Sequence, residues 1–185
     1  IYASTEPSEA LQMSARLLVM EEGRVVQEGP PRAVFDAPAS VGAARVVNDP
    51  PVNILSMTLD SDAAEVESLG WFSLETLFGV ERLGLLGDQG LSPGQYYLGL
   101  RASDLALAPE GRPAVVTLTE VSGSETVTHL DMAGCHLVLH ERAVVNHPVG
   151  SQIHIRPRLS TVFVFDRNGR RVHVAHPGRR ADSRQ

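Results

Sequence analysis

Lysine is absent from the 185 residues, and all sixteen basic side chains are arginine. Two kinds of chemistry go with it. A P-loop, G-x-x-x-x-G-K-[ST], needs its lysine to reach the β- and γ-phosphates, and Schiff-base catalysis needs a lysine amine. Cysteine is almost absent as well. The single Cys135 excludes an internal disulfide and fits a reducing, cytosolic setting. It sits in an alternating run and reads as a buried structural thiol. Aromatics make up only 5% of the chain. Beside an acidic body, that argues against nucleic-acid binding. No apolar run approaches the roughly 18 residues of a membrane span. No G-x-S-x-G elbow is present to support a hydrolase triad.

What is present is acidic and apolar in fair measure. The net charge is −6, and 43% of residues are hydrophobic, enough for one large or two small cores. The charge is uneven. Eight arginines against Asp166 and Asp182 make Arg156–Gln185 +6 and leave −12 for the rest. Arg179-Arg180 and Arg184 read as a solvated tail over 177–185, the alternative being contact with an acidic partner or lipid headgroups. There is no initiator Met. Ile1 opens on a strand-like run, and the chain is expected to be part of a longer one.

The most telling stretch is Glu22-Gly23-Arg24-Val25-Val26-Gln27-Glu28-Gly29-Pro30-Pro31. Glu22-Gly23 is a turn signal between two β-type runs, so Arg16–Glu28 reads as a hairpin. Gly29-Pro30 stops the second strand, Pro31 presets φ for a short helix, and Pro38 ends it. Ser40–Asn48 then reads as a helix with Ser40 as N-cap, closed by Asp49-Pro50-Pro51. Beyond that boundary the character is β. Strand candidates are Val52–Leu59, Glu75–Leu77, Tyr96–Arg101, Ala114–Val121, Thr126–Met132, His136–Glu141, Gln152–Arg156, Thr161–Phe165 and Arg171–Ala175. Turn signals separate them, among them Pro109-Glu110-Gly111 and Asn168-Gly169. Many short strands at this spacing predict a small barrel or sandwich. Burial should alternate along Ala114–Val121 and Thr126–Met132.

The order strand, turn, strand, Gly-Pro, short helix resembles the C-terminal end of the nucleotide-binding domain of carbohydrate-uptake ABC importer ATPases. Glu9-Ala10 falls where that family carries a helix after its switch-histidine strand. Here the switch position holds Thr5, within Ser4-Thr5-Glu6-Pro7, a variant that looks like the glycerol-type subgroup. A threonine can touch a phosphate oxygen but cannot relay a proton as imidazole does. Further on, Gly99-Leu100-Arg101-Ala102-Ser103-Asp104-Leu105 looks like the family's Gly-x-Arg-Pro-Glu-x-Leu segment, with Ala102 replacing the proline. Glu120-Val121-Ser122-Gly123-Ser124-Glu125 looks like its Glu-x-x-Gly-x-Glu segment, and Val149-Gly150 through Arg171 like its closing hairpin.

The resemblance implies a mainly β chain: an OB-like β-barrel of the TOBE type over 52–176, preceded by a small α/β remnant of a nucleotide-binding domain over 1–51. It implies an accessory, regulatory region of an importer ATPase for a sugar or polyol, on the cytoplasmic face of the inner membrane. Transmembrane subunits and a second ATPase subunit, in a homo- or heterodimer, would be the partners. ATP and Mg²⁺ would belong to the full-length parent. This stretch lacks the ATPase motifs, so it is expected to hold no cofactor and to have no catalytic residue of its own. The motif residues Arg101, Asp104, Glu120, Gly123 and Glu125 become the interface candidates. The alternative is a free-standing OB-like domain for a small anion or oligonucleotide.

Local chemistry offers plainer readings of the same residues. Glu120 and Glu125 read as an acid/base pair or, more simply, as edge charges pairing with arginine or capping turn N–H groups. Arg101 and Asp104 read as a local surface ion pair or as a polar contact to a partner subunit or a bound solute. Trp71-Phe72 reads as core or interface surface. His136 and His140, about 13 Å apart along one strand, are too far apart to share an ion. His147, His154, His173 and His176 show no ligand-type spacing, and no metal site is expected.

Overall fold

In the computed structural model, residues 1–13, 16–78, 91–159 and 162–172 are described. Helix α1 (Pro7–Met13) precedes a hairpin of β1 (Leu17–Glu21) and β2 (Arg24–Gly29). Glu22 and Gly23 both take positive φ, 48° and 77°, in the tight turn the hairpin needs. Residues 1–4 form no strand. Helix α2 (Pro31–Asp36) begins at its proline, as Gly29-Pro30-Pro31 predicts. Helix α3 (Val41–Val46) is capped by Ser40, whose Oγ accepts from the Ala43 N–H at 3.0 Å. Gln27 ties the helices to the hairpin. Its amide donates to Ala37 O at 2.9 Å and accepts from Ala39 N at 2.7 Å.

The β-rich part makes two antiparallel sheets. One has the order β11-β6-β3-β4-β5, with β3 (Asn53–Leu59), β4 (Ala63–Val66), β5 (Gly70–Ser73), β6 (Gly94–Leu100) and β11 (Phe163–Phe165). The other has the order β10-β7-β8-β9, with β7 (Leu105–Ser122), β8 (Glu125–Met132), β9 (Cys135–Glu141) and β10 (Gln152–Pro157). Their facing sides supply one core. Leu55, Met57, Leu98 and Leu100 come from the first sheet, and Val116, Leu130, Leu137 and Leu139 from the second. The mainly β reading is correct. Asn53 joins the sheets through its side chain. The amide donates to Val138 O at 2.9 Å and accepts from Val138 N at 2.7 Å, satisfying the edge of β9 where no strand does.

Three local expectations need correction. Glu75–Leu77 is not a strand but lies in helix α4 (Leu74–Phe78). Leu74, Leu77 and Phe78 bury one helical face, and Ser73 Oγ accepts from Thr76 N at 3.1 Å. Strands β4 and β5 were not foreseen. Their alternating inward residues, Ala64 and Val66, lie among acidic and serine residues that mimic a loop. Pro109-Glu110-Gly111 does not end a strand. Strand β7 runs through it, with β10 pairing Leu105–Leu107 on one side and Pro113–Val115 on the other. A Cβ on Gly111 would meet Ile155 O at 2.5 Å, so the bulge needs glycine there. Of Trp71-Phe72, read as core or interface surface, Trp71 is 64% exposed and Phe72 packs against the core.

Burial alternates along Thr126–Met132 as expected. Along β7 it alternates from Ala114 to Val116 and then breaks, where the register shifts between Val116 and Leu118. Arg171 makes a single bridge to Phe165. The strand reading beyond Val172 and the tail at 177–185 lie outside the described residues. Among the described residues, no helix is long and apolar enough to cross a membrane.

The N-terminal elements and the sheets meet at α3. Ala43 and Val47 pack with Val19 and Val34 of the hairpin side. Ala44, one residue on from Ala43, packs with Val52, Phe163 and Phe165 on the outer face of the five-stranded sheet. Backbone bonds reinforce the seam: Val41 N donates to Gly169 O at 2.8 Å and Arg171 N to Ala39 O at 2.9 Å.

Candidate functional site

The residues singled out by motif fall in three places. Thr5 is exposed in the bend before α1. Arg101 caps, and Asp104 ends, a 3₁₀ turn between β6 and β7. Glu120, Gly123 and Glu125 lie at the β7–β8 hairpin. The fold brings Arg101 near Asp104 and carries Thr5 and the hairpin residues on other elements.

Arg101 is not a surface residue paired only to its neighbour. Its guanidinium lies between two aromatic rings, 4.3 Å from the Phe35 centroid and 4.7 Å from that of Phe163. Its Nη2 donates to Phe35 O at 2.9 Å and its Nε to Asn48 Oδ1 at 3.2 Å. Asn48 is buried, and its own amide donates to Ala44 O at 2.8 Å. One side chain therefore touches α2, the end of α3 and β11. A planar cation suits this position, because it can stack on both faces while donating in its plane.

Asp104 follows from the same turn. Its N–H donates to Arg101 O at 2.9 Å, and its carbonyl accepts from Arg158 N at 2.6 Å. Oδ2 is buried without a hydrogen-bond partner. Burial pushes the carboxyl above its ordinary range, while the charges of Arg101 and Arg158 and a backbone hydrogen bond at Arg101 act the other way.

At the hairpin, Ser122 pairs with Glu125, leaving Gly123-Ser124 as a two-residue loop with Gly123 at φ 60°. Glu120 and Glu125 pair with histidines, not with arginine. Glu125 Oε2 is 3.0 Å from His140 Nε2, and Glu120 Oε2 is 3.7 Å from His129 Nε2. His129 also faces His136, Nδ1 to Nε2 at 3.3 Å. His136 and His140 thus have different neighbours. A third pair, His147 Nε2 to Glu141 Oε2 at 2.7 Å, holds the loop after β9. Thr126 helps it there, with Oγ1 donating to Ala143 O and accepting from Val145 N. Sequence reading missed His129 because its partners lie across strands, and only the register brings them together. Among the described residues, no group of three or more His, Cys, Asp or Glu is placed to hold a metal ion. Cys135 is half-buried rather than buried. Burial, with the Glu67 and Asp131 carboxylates, raises its thiol pKa against a Ser68 hydrogen bond, which favours the thiol over the thiolate.

Two outcomes follow for the Arg101 turn. Arg101→Ala should destabilise the chain by about 2–4 kcal/mol, through lost stacking and two lost charge-assisted bonds. Arg101→Lys should recover less than half of that, because an ammonium cannot stack and fork at once. Denaturant unfolding checks both, and full recovery by lysine would contradict the sandwich. For Asp104, the raised folded-state value means that folding opposes its ionisation. The penalty is present at neutral pH and relieved as pH falls through the raised value. Relative to Asp104→Asn, the wild type should therefore lose ground between about pH 4 and pH 7. Unfolding midpoints across that range would refute this if the difference ran the other way.

No family model matches the chain. Among curated proteins it is similar to an uncharacterized ABC transporter ATP-binding protein, y4oS, of Sinorhizobium fredii. The two are 31% identical over 169 residues, covering 91% of this chain and 43% of that protein. The trehalose/maltose import ATP-binding protein MalK of Thermococcus litoralis is 28% identical over 176 residues, covering 90% and 46%. The sn-glycerol-3-phosphate import ATP-binding protein UgpC of Bordetella pertussis is 28% identical over 139 residues, covering 75% and 36%. The chain spans less than half the length of these curated relatives. Among solved structures, the cytoplasmic molybdate-binding protein ModG with molybdate bound aligns over 62% of this chain and 95% of its own, at a TM-score of 0.40 and 14% identity. That likeness is too slight to carry an argument. On the sequence matches, which run nearly end to end, the chain belongs to the ABC transporter ATP-binding proteins and corresponds to one part of such a protein.

Proposed function

We propose that this chain is the C-terminal, regulatory part of the ATP-binding subunit of an importer for a sugar or polyol. The match to ABC transporter ATP-binding proteins over 91% of the chain carries the reading. Residues 1–51 complete the nucleotide-binding domain, and 52–176 form an accessory β-domain of the TOBE type that contributes to pairing of two subunits. The parent works at the cytoplasmic face of the membrane with transmembrane subunits. Import functions in the names of MalK and UgpC support a carbohydrate or polyol solute. Thr5-Glu6-Pro7 points to glycerol as the specific candidate.

No step of ATP chemistry is assigned to this chain. It has no lysine for a P-loop, and Thr5 offers one exposed hydroxyl. In the parent, that hydroxyl takes the place where an imidazole would meet the γ-phosphate. A preorganised contact of that kind is worth about 3 kcal/mol in the transition state. Glu6 is a poor substitute, because its carboxylate repels phosphate unless a cation lies between. The subunit is therefore a weak ATPase alone and pairs with a second, different ATPase subunit that supplies the histidine.

Turnover by the longer protein tests this. The lone subunit should hydrolyse ATP slowly, and Thr5→His or addition of the second subunit should raise the rate at least about tenfold. Brisk turnover by the wild type alone, with no gain from Thr5→His, would overturn the proposal.

A further inference from the structure

The outer face of the β7-β8-β9 sheet carries chemistry that the transporter reading does not use. Three carboxylates, Glu120, Glu125 and Asp131, share this face with His129, His136 and His140. Register explains how they meet. Asp131 lies directly opposite His136, and His129 opposite Val138, so His129 and His136 are diagonal neighbours across β8 and β9. Glu120, opposite Val127 on β7, is in turn diagonal to His129. The result is a line of three groups, Glu120–His129–His136.

We propose that His129 and His136 form a two-histidine site for a divalent transition-metal ion of the zinc, copper or nickel kind. Distance is the first argument. His129 Nδ1 and His136 Nε2 are 3.3 Å apart. In the metal-free chain that separation is spanned by one proton shared in an N–H···N hydrogen bond. The same separation matches two imidazole nitrogens at about 2.0–2.1 Å from one tetrahedral ion, which lie roughly 3.3–3.4 Å apart. The second argument is the carboxylate behind the ligand. Glu120 Oε2 is 3.7 Å from His129 Nε2. That is beyond hydrogen-bond reach, but its negative charge favours a proton on Nε2 over one on Nδ1, which leaves the Nδ1 lone pair turned toward His136. The third is charge. Glu120, Glu125 and Asp131 make the face attractive to a cation.

The remaining pieces fit an open site. The two rings lie nearly parallel, 25° apart with centroids at 5.3 Å, so their lone pairs do not converge as placed; His136 is exposed, and its ring can turn about χ2 until both meet at the ion. In the metal-free chain one proton lies between the facing nitrogens. On binding, His136 carries its proton on Nδ1 instead, both rings stay neutral, and no proton is lost. With two protein ligands the other positions are open to water. Affinity should follow ligand preference, copper above zinc and nickel. His140 is held by Glu125 and takes no part. The inference does not depend on the transporter reading.

Calorimetric titration with zinc alone, and separately with copper alone, tests the site on the metal-stripped 185-residue chain without a histidine tag. The expected result is one equivalent bound. Binding should weaken at least tenfold in His129→Ala and in His136→Ala, weaken measurably in Glu120→Gln, and stay unchanged in His140→Ala. Thermal midpoints supply the second readout. Zinc should raise the midpoint of the wild type and leave those of the two histidine variants where they are in chelator. No binding of either metal by the wild type, or wild-type affinity in either histidine variant, would overturn the proposal.

Discussion

Arg101 is the constraint on which the arrangement of this chain depends. A guanidinium taken partly out of water is costly unless its donors are met and its faces covered. Both conditions are fulfilled only when Phe35, Asn48 and Phe163 are in place together. These three come from a short helix near the start, the end of the next helix and a strand more than a hundred residues later. The small residues of α3 make the same demand by other means. Ala43 and Ala44 are neighbours in sequence, yet one packs on the hairpin and the other on the sheet. With no bulk on either side, the helix can sit close to both.

That seam gives the proposed division of the chain a mechanical meaning. The Asp49-Pro50-Pro51 boundary separates two kinds of secondary structure without separating two independent bodies. Movement of the N-terminal elements must either carry the five-stranded sheet along or break a cation sandwich. In an ATP-binding subunit this would let a nucleotide-dependent shift reach the accessory domain through packing. Asp104, one turn on from Arg101, holds one buried oxygen without a hydrogen-bond partner, offset in part by the nearby Arg101 and Arg158 charges.

Much of this architecture was legible in the sequence where local rules act alone. Glu22-Gly23 made its hairpin, Pro31 opened its helix and Ser40 capped the next, because turns and caps are settled by a few adjacent residues. Reading failed where long-range pairing decides. Leu74, Leu77 and Phe78 carry a helical period that five residues cannot distinguish from a strand. Ala64 and Val66 make an inward strand face amid acidic residues. Pro109-Glu110-Gly111 carries a turn signal, but pairing with β10 on both sides turned it into a bulge. The motif residues were found, but their partners were not. Nothing near Arg101 in sequence announces Phe35 or Phe163, and nothing near Glu120 announces His129.

The most direct test of the seam is native-state hydrogen exchange on the 185-residue chain. If Arg101 and α3 bind the two parts into one cooperative unit, the amides of Ala44, Val41 and Arg171 should open with the same free energy and denaturant dependence as those of Leu98 and Leu130 in the sheets. In Arg101→Ala the first group should separate and exchange through a smaller opening. Exchange of Ala44 and Val41 by an independent, low-energy opening in the wild type would contradict the account.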